Sequence, residues 1–377
     1  MKTLEELAKD NPILLEELKK TMTKEQLAMT LPSEVADFEK IMFSDMQKIM
    51  LEECIALSLV NTKQVPDGTD FIRVPKELTP AILPILAEGN TITPRKFLLD
   101  KKDISLSMRW GDGFALSRDS ISDTEGNVDL IQLGKENMAK EFSQGLDDYL
   151  FSVLLRETTY TAESHAGAAA HSIYTLTHSP VTTIIAVTDD SSPVVPVTLE
   201  KIDEYEGKIK IAENLGGKNL LVTYKASAHS LVQDADTDAA LAWDDLSNAR
   251  GLMRAHYQTP RYVVVNPRGR SNLVADSKFL SAYIGTGKVS PVSTFELGEA
   301  AGLKVLESTK IPEGCALVID PIRFVYHVSK GAVVVRTLDE PQSDAINFFF
   351  FLRAGADVVD QYSACLITNI GSLSADL

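Results

Sequence analysis

The sequence predicts an α+β protein built from several parts, and three observations carry that prediction. One uninterrupted amphipathic helix covers 128–157. The stretch from Thr158 to Lys225 is rich in Thr, Val, Ser and Ala and has almost no helical period. After Tyr262, short strands, turns and short helices alternate to the end of the chain.

The helix is the organising element. Ile131, Met138, Phe142, Leu146, Tyr149 and Val153 follow one another in steps of three, four or seven, which places them on one side of a 3.6-residue repeat. Lys135, Glu136, Lys140, Glu141, Asp147 and Asp148 fall mostly elsewhere, and Glu136 with Lys140 makes a favourable i,i+4 pair. About 30 helical residues give a rod of about 45 Å, longer than a compact domain needs, so the segment reads as a spine. An ordinary core helix would show the same periodicity.

Ahead of the spine, residues 1–58 carry helix-start signals in quick succession: Thr3 with Glu6, Asn11 with Pro12, Thr23 with Gln26, then Pro32 with Ser33. The last pair opens a longer helix with Val35, Phe38, Met42, Met46 and Ile49 on one side. That face has little to bury it locally, which suggests an arm packing on something else; a helical subdomain folding on itself is the competing reading. From Thr62 to Met108, prolines and short apolar runs read as two strand edges, Phe71 to Val74 and Ile104 to Met108, enclosing a long excursion. Arg95, Lys96, Lys101 and Lys102 would give this hairpin a basic tip on an acidic molecule, and we expect it to make an intermolecular contact.

Beyond the spine, Val181 to Val187, Val194 to Leu199, Lys208 to Ile211 and Leu220 to Tyr224 read as strands of a small all-β insertion. A polar connection, Ser227 to Leu241, leads to a helix from Leu241 to Tyr257 with Leu246, Ala249, Met253 and His256 on one side. Elements then follow at Tyr262 to Val265, Leu273 to Tyr283, Leu303 to Leu306, Ala316 to Ile319, Phe324 to Val328, Ala332 to Thr337 and Ile346 to Leu352. Phe348, Phe349, Phe350 and Phe351 put aromatic rings on both faces of one strand, which must therefore be covered twice, by its own domain and by a neighbour.

Composition excludes several classes. The 377 residues carry a net charge of -16, and no basic patch of the kind that grips phosphate is present, Arg268 and Arg270 being a pair only. Cys54, Cys315 and Cys365 are odd in number, without CxxC spacing, and read as reduced core thiols. Neither an apolar signal core at the start nor a run of membrane-spanning length is seen, so a soluble protein made in a cytoplasm, without membrane contact, is expected.

Four stretches together resemble the major capsid proteins of tailed bacteriophages and related archaeal viruses. They are "AEGNTITPRKFLLDKKDISLSMRWGDGFALSRDSI" before the spine, then "PRYVVVNPRGRSNLVADSKF", "LGEAAGLKVLESTKIPEGCALVIDPIRFVYHV" and "FFFFLRAGADVVDQYSACLIT". The resemblance covers about 60–370, rests on the order of elements rather than on a catalytic motif, and implies the Hong Kong 97 fold, which encapsulin shells share. It implies a helical N-terminal arm at 1–60 and an extended loop at 61–108. A peripheral domain at 109–160 contains the spine and is completed by 322–352. The all-β insertion takes 161–228, and an axial domain takes 229–321, completed by 353–377.

What the resemblance implies for function is self-assembly into hexamers and pentamers of an icosahedral shell. That shell would enclose viral double-stranded DNA without sequence-specific binding, and the protein would reside in the virion after assembly in the host cytoplasm. Portal and scaffold or decoration proteins would be its other partners. One branch of the family joins a loop lysine to a peripheral-domain asparagine with help from a glutamate. Lys96, Lys101 or Lys102 with Asn347 would supply two of those groups, but no glutamate lies between Phe348 and Ala356, and the reaction would lack a base. An encapsulin-like compartment is the nearest alternative. A surface carbohydrate-binding protein using the insertion is a further one, disfavoured by its few aromatics, chiefly Tyr174, Tyr205 and Tyr224.

Other signals fail on their own chemistry. Asp234, Asp236, Asp238 and Asp245 copy part of a calcium loop, yet Ala239 stands where the sharp turn needs glycine, and an acidic flank to the following helix explains the same residues. "GTGKVS" from Gly285 lacks the earlier glycine of a phosphate loop, at Ala282, and has Val289 where a magnesium-binding hydroxyl belongs. His165, His171, His178, His229, His256 and His327 show no metal spacing, and no Ser, His and Asp set has a nucleophile context. We therefore expect no enzyme, no cofactor, no metal and no catalytic residue.

Overall fold

The computed structural model describes residues 54–66, 68–76, 100–117, 130–191, 195–203, 207–215, 217–235, 240–276, 278, 298–329, 334–340 and 345–370. The expected helical arm, apart from its last residues, lies outside them. Two compact units are formed. One gathers Trp110–Glu141 and Ala332–Leu352, the other Leu51–Arg109, Phe142–Gly331 and Arg353–Leu377.

A 3-10 turn, Ala56–Leu59, leads into β1 (Asn61–Gln64). The expected hairpin is present: β2 (Phe71–Lys76) pairs antiparallel with β3 (Asp100–Ser105), Ile72 opposite Ile104 and Val74 opposite Lys102. The segment 77–99 between them is outside the described residues. β4 (Met108–Ser117) follows, and then the spine helix α1 (Leu130–Leu154). At 25 residues α1 is about 37 Å long at the usual rise.

α1 is shorter than the sequence suggests because Arg156 takes a left-handed conformation, φ 52°, with no glycine to announce the stop. Glu157, read as the last helical residue, instead begins a strand. Met138, Phe142 and Leu146 are buried as expected, but the later core positions are Leu150, Phe151 and Leu154, while Tyr149 and Val153 are half-buried. Asp147, expected off the buried face, lies on it. Its Oδ1 accepts the backbone N–H of Ala56 at 2.8 Å and the thiol of Cys54 at 3.3 Å, so the helix carries the acceptor that fixes the start of the 3-10 turn. Burial pushes the Asp147 carboxyl above its ordinary value and the Cys54 thiol up to about 12.

The next six strands are β5 (Glu157–His165), β6 (Ile173–Thr175), β7 (Val181–Asp189), β8 (Leu199–Asp203), β9 (Lys208–Ile211) and β10 (Leu220–Ser227). They form two three-stranded sheets, in the orders β5-β10-β7 and β6-β9-β8. Between them lies one core that includes Val181, Ile209, Ile211, Val222 and Tyr224. The strand expected at Val194 to Leu199 starts instead at Leu199. Before it a single bridge joins Pro196 to Thr188, held by the Asp189 N–H donating to the Val195 carbonyl and the Val197 N–H donating to the Val187 carbonyl, both at 2.9 Å.

β11 (Val232–Asp234) lies in what the sequence shows as a polar connection, and α2 (Trp243–Ala255) follows. Leu246, Ala249 and Met253 of α2 are buried, whereas His256 is exposed just past its end. β12 (Tyr262–Val265) runs into α3 (Pro267–Ala275), which starts earlier than the expected element because Asn266 caps it, its side chain accepting the Arg268 N–H at 3.1 Å. β13 (Glu299–Ala300), β14 (Leu303–Glu307), β15 (Ala316–Ile319), β16 (Val325–Ser329), β17 (Val334–Glu340), β18 (Ala345–Val358) and β19 (Ala364–Thr368) complete the chain. A six-stranded sheet, β11-β19-β15-β12-β14-β13, packs against α2 around Leu246, Val263, Val318 and Ile367.

The remaining sheet has the order β1-β16-β18-β17, with β4 also paired to β18. In the larger unit, β1 runs parallel to β16, and β16 pairs antiparallel with the last residues of β18. There Val65, Val74, Ile104, Leu106, Val328 and Val359 form a small core beneath the hairpin. Gly355 is required at this contact, since a Cβ on it would sit 2.0 Å from the carbonyl oxygen of Ser105. Replacing it, Gly355→Ala, is expected to destabilise the larger unit by about 2–3 kcal/mol or more, because backbone rather than a movable side chain is in the way. Thermal unfolding by circular dichroism reads this; a melting temperature within a degree of the parent would refute the close packing.

Two histidines of this unit are held neutral. His327 is 4% exposed, and its burial lowers its pKa to about 4. His229 is half-buried as a residue, but both its ring nitrogens are shut off from solvent; burial, aided by the nearby Arg156 charge, lowers it to about 3. With folded pKa values below the unfolded value near 6.5, the unfolded chain binds more protons, so stability falls as pH drops from 6.5 toward about 4 for His327 and about 3 for His229, and then levels off. At pH 5 this amounts to about 2 kcal/mol per histidine. The melting temperature should therefore be lower at pH 5 than at pH 7.5 by roughly 5 °C or more. His327→Leu should recover part of that loss, and an unchanged acid shift in the variant would contradict the assignment.

Candidate assembly surface

The four phenylalanines are divided by the pleat of β18. Phe348 and Phe350 are fully buried on one face, where Phe114 of β4 stacks on both rings at centroid distances of 4.9 and 5.8 Å. Glycines make this layer possible: a Cβ at Gly134 of α1 would lie 2.6 Å from the Phe114 ring, and one at Gly113 would lie 2.4 Å from the Phe348 carbonyl oxygen.

The opposite face is built differently. Register places Leu338 across from Asn347 and Arg336 across from Phe349, so these four share a side of the sheet. Phe349 is 37% exposed and Leu338 50% exposed, with Arg336 exposed beside them, and Phe351 on the same side is half-buried. Two large apolar groups flanked by an arginine are therefore left in water by the chain itself, in the composition that protein contacts favour. Leu338 is not among the residues the sequence singles out. The signal was available: Glu340 to Asp344 is a polar run between two apolar stretches, and pairing those stretches across it sets Leu338 opposite Asn347.

The hairpin residues divide as well. Arg95 and Lys96 lie outside the described residues. Lys101 and Lys102 lie on β3 itself, across from Pro75 and Val74. Lys102 donates to the Val358 carbonyl at 2.6 Å and to Asp357 at 2.8 Å, so it ties the hairpin to β18 of its own chain. Arg73 and Asp103, directly opposite, form a two-pronged ion pair at 2.7 and 2.9 Å, and that arginine holds the Asp103 carboxyl below its ordinary value. With both partners about half exposed, this pair contributes little to stability.

Elsewhere the polar groups are occupied in structural work. A cleft of about 960 Å³ beside α1 is lined by Phe151, Glu157, Lys225, Asn266, Arg268 and Lys310 among others. Lys225 pairs with Glu157 at 3.1 Å, and Lys310 pairs with Asp148. Within the β5 to β10 core, Glu163 accepts from Tyr224, from the Thr177 N–H at 2.8 Å and from the Thr177 hydroxyl at 2.7 Å, with His165 3.1 Å away. His171, exposed in a turn, pairs with Glu200 at 2.9 Å.

Of the calcium-like aspartates, Asp245 caps α2 by accepting the Ala242 N–H at 2.9 Å, and Asp236 and Asp238 lie outside the described residues. The "GTGKVS" loop also lies outside. Among the described residues no group of three His, Cys, Asp or Glu is placed to hold a metal, and no helix is long and apolar enough to cross a membrane. Cys54, Cys315 and Cys365 are all free and buried, with burial raising Cys365 to about 12.

No protein-family model matches the sequence, and no curated protein does. Solved structures do. The chain of the capsid structure of the cyanophage P-SCSP1u aligns with a TM-score of 0.51 at 10% identity, covering 82% of this chain and 86% of that one. The mature capsid of bacteriophage PhiM1 aligns with a TM-score of 0.50 at 10% identity, over 84% of this chain and 86% of that one. The SrpI encapsulin of Synechococcus elongatus PCC 7942 aligns at 12% identity over 83% and 86% with a TM-score of 0.42. The mixed sheets and the two phage capsid alignments make this an α+β chain with the Hong Kong 97-type capsid fold.

Proposed function

We propose that this chain is the major capsid protein of a tailed virus, assembling into the hexamers and pentamers of an icosahedral shell around double-stranded DNA. The observation that carries the proposal is the outward face of β17 and β18, where Phe349 and Leu338 stand exposed on a chain whose fold is that of capsid subunits. A neighbouring subunit would cover that face. In this reading 1–60 is the arm, 61–108 the extended loop, 109–160 with 322–352 the peripheral domain, 161–228 an inserted β domain and 229–321 with 353–377 the axial domain. Arg95, Lys96 and Lys101 would meet adjacent subunits.

The role is structural, without catalysis or cofactor. Net charge of -16 suits a container that holds DNA without gripping it. Portal, scaffold and decoration proteins would be its further partners, the virion its residence and the host cytoplasm its place of assembly.

The test is negative-stain electron microscopy and light scattering on the full chain, alone and with a co-expressed scaffold. Closed shells or ring-shaped capsomers are expected. Nucleic acid inside would mark a capsid, a protein cargo the encapsulin-like alternative, and a persistent monomer under all conditions would sink the shell reading. Phe349→Ser with Leu338→Ser should raise the concentration needed for assembly by roughly tenfold or more while leaving the melting temperature near that of the parent.

A further inference from the structure

A second exposed surface is built by three turns that are far apart in sequence. Residues 256–259, 320–323 and 360–363 are pinned together by buried polar groups. Gln258 donates to Asp360 at 2.8 Å and accepts the Ser363 hydroxyl at 2.8 Å. The carboxylate of Asp320, fully buried, accepts both the N–H and the hydroxyl of Thr259 at 3.1 Å and the N–H of Ile322 at 3.1 Å. Such a satisfied network fixes the turns rigidly, since breaking any member strands a buried polar group.

Each turn then holds one large side chain in solvent: Tyr257 is 65% exposed, Ile322 44% and Tyr362 38%. His256 stacks on Tyr362 with centroids 4.5 Å apart and planes 4° from parallel. Arg254, exposed one turn before Tyr257, forms no ion pair among the described residues. Tyr257 is the telling residue. It sits in the left-handed region at φ 61°, where a bulky side chain costs energy and Asn or Gly would not. It stays about two-thirds exposed all the same. A bulky residue held at that cost and left largely in solvent is suited to a contact outside the chain.

We propose that Tyr257, Ile322 and Tyr362, with Arg254 beside them, form a preorganised docking surface for a second copy of this chain. The argument for that occupant is charge: an aromatic patch beside an exposed arginine that forms no ion pair among the described residues fits an acidic surface, and the chain carries a net charge of -16. A basic and aromatic patch meeting a different, acidic part of its neighbour is a head-to-tail contact, which propagates into rings. This inference rests on the shell reading and adds a named contact to it.

The experiment compares the full-length parent with Tyr257→Asn, Ile322→Ser and Arg254→Glu by light scattering and negative-stain microscopy, with melting temperatures measured alongside. Asn tolerates the left-handed backbone, so Tyr257→Asn should fold at least as stably as the parent. The expected result is unchanged melting with a roughly tenfold or greater rise in the concentration at which rings or particles form, and Tyr257→Phe should assemble like the parent. Variants that assemble like a particle-forming parent overturn the docking surface and leave the shell reading standing. Normal assembly with loss of co-purifying nucleic acid would overturn it in favour of a nucleic-acid contact. A parent that never assembles overturns both.

Discussion

A strand that carries phenylalanine at four successive positions cannot be satisfied by one layer of protein, and β18 imposes that constraint on this chain. Its alternate phenylalanines Phe348 and Phe350 are closed over by Phe114, whose ring in turn lies against Gly134 of α1. Further along the same strand, Gly355 admits the backbone of Ser105, while Ala356 donates to the Tyr149 hydroxyl of α1 at 2.9 Å. Each compact unit thus uses a part of β18 as a sheet position, and the glycines lie where another chain segment or ring approaches closest. What the constraint leaves unmet is the side of Phe349, and that remainder is where an assembly role becomes physically reasonable.

The acidity of the chain has two meanings. Part of it is a surface field, but several aspartates are components of the backbone. Asp147 holds the Ala56 N–H, Asp189 the N–H groups of Ser191 and Val195, Asp245 that of Ala242, Asp276 that of Trp243, and Asp320 those of Thr259 and Ile322. A carboxylate accepting N–H groups that no ladder can use is an economical way to set a turn. For Asp189 these bonds, with Ser191 and Lys218, hold the carboxyl far below its ordinary value.

How much of this was legible in the sequence depended on how local each cause was. Tyr262–Val265, Ala316–Ile319 and Lys208–Ile211 were readable to the residue, because dense apolar runs in the first two and strict alternation of Lys and Ile in the third, set between turn residues, leave few alternatives. β5 was not, since ETTYTAESH is half-exposed along its length and carries no apolar alternation. The burial of Asp147 follows from Ala56 and Cys54, about ninety residues away, and no period within the helix could announce it. The same holds for the candidate surfaces. The phenylalanine run was visible as a problem of coverage, but Leu338 required the hairpin register, and the platform carrying Tyr257, Ile322 and Tyr362 exists only once three distant turns are tied together.

The three cysteines lead to a practical consequence. All are free and buried, and the Cys54 and Cys365 thiols, raised to about 12, carry almost no thiolate at neutral pH. To a maleimide the folded chain is nearly blank. A single cysteine placed on any exposed loop would then be the one handle such a reagent meets, so dyes, peptides or antigens could be attached at a chosen position without first removing the native thiols.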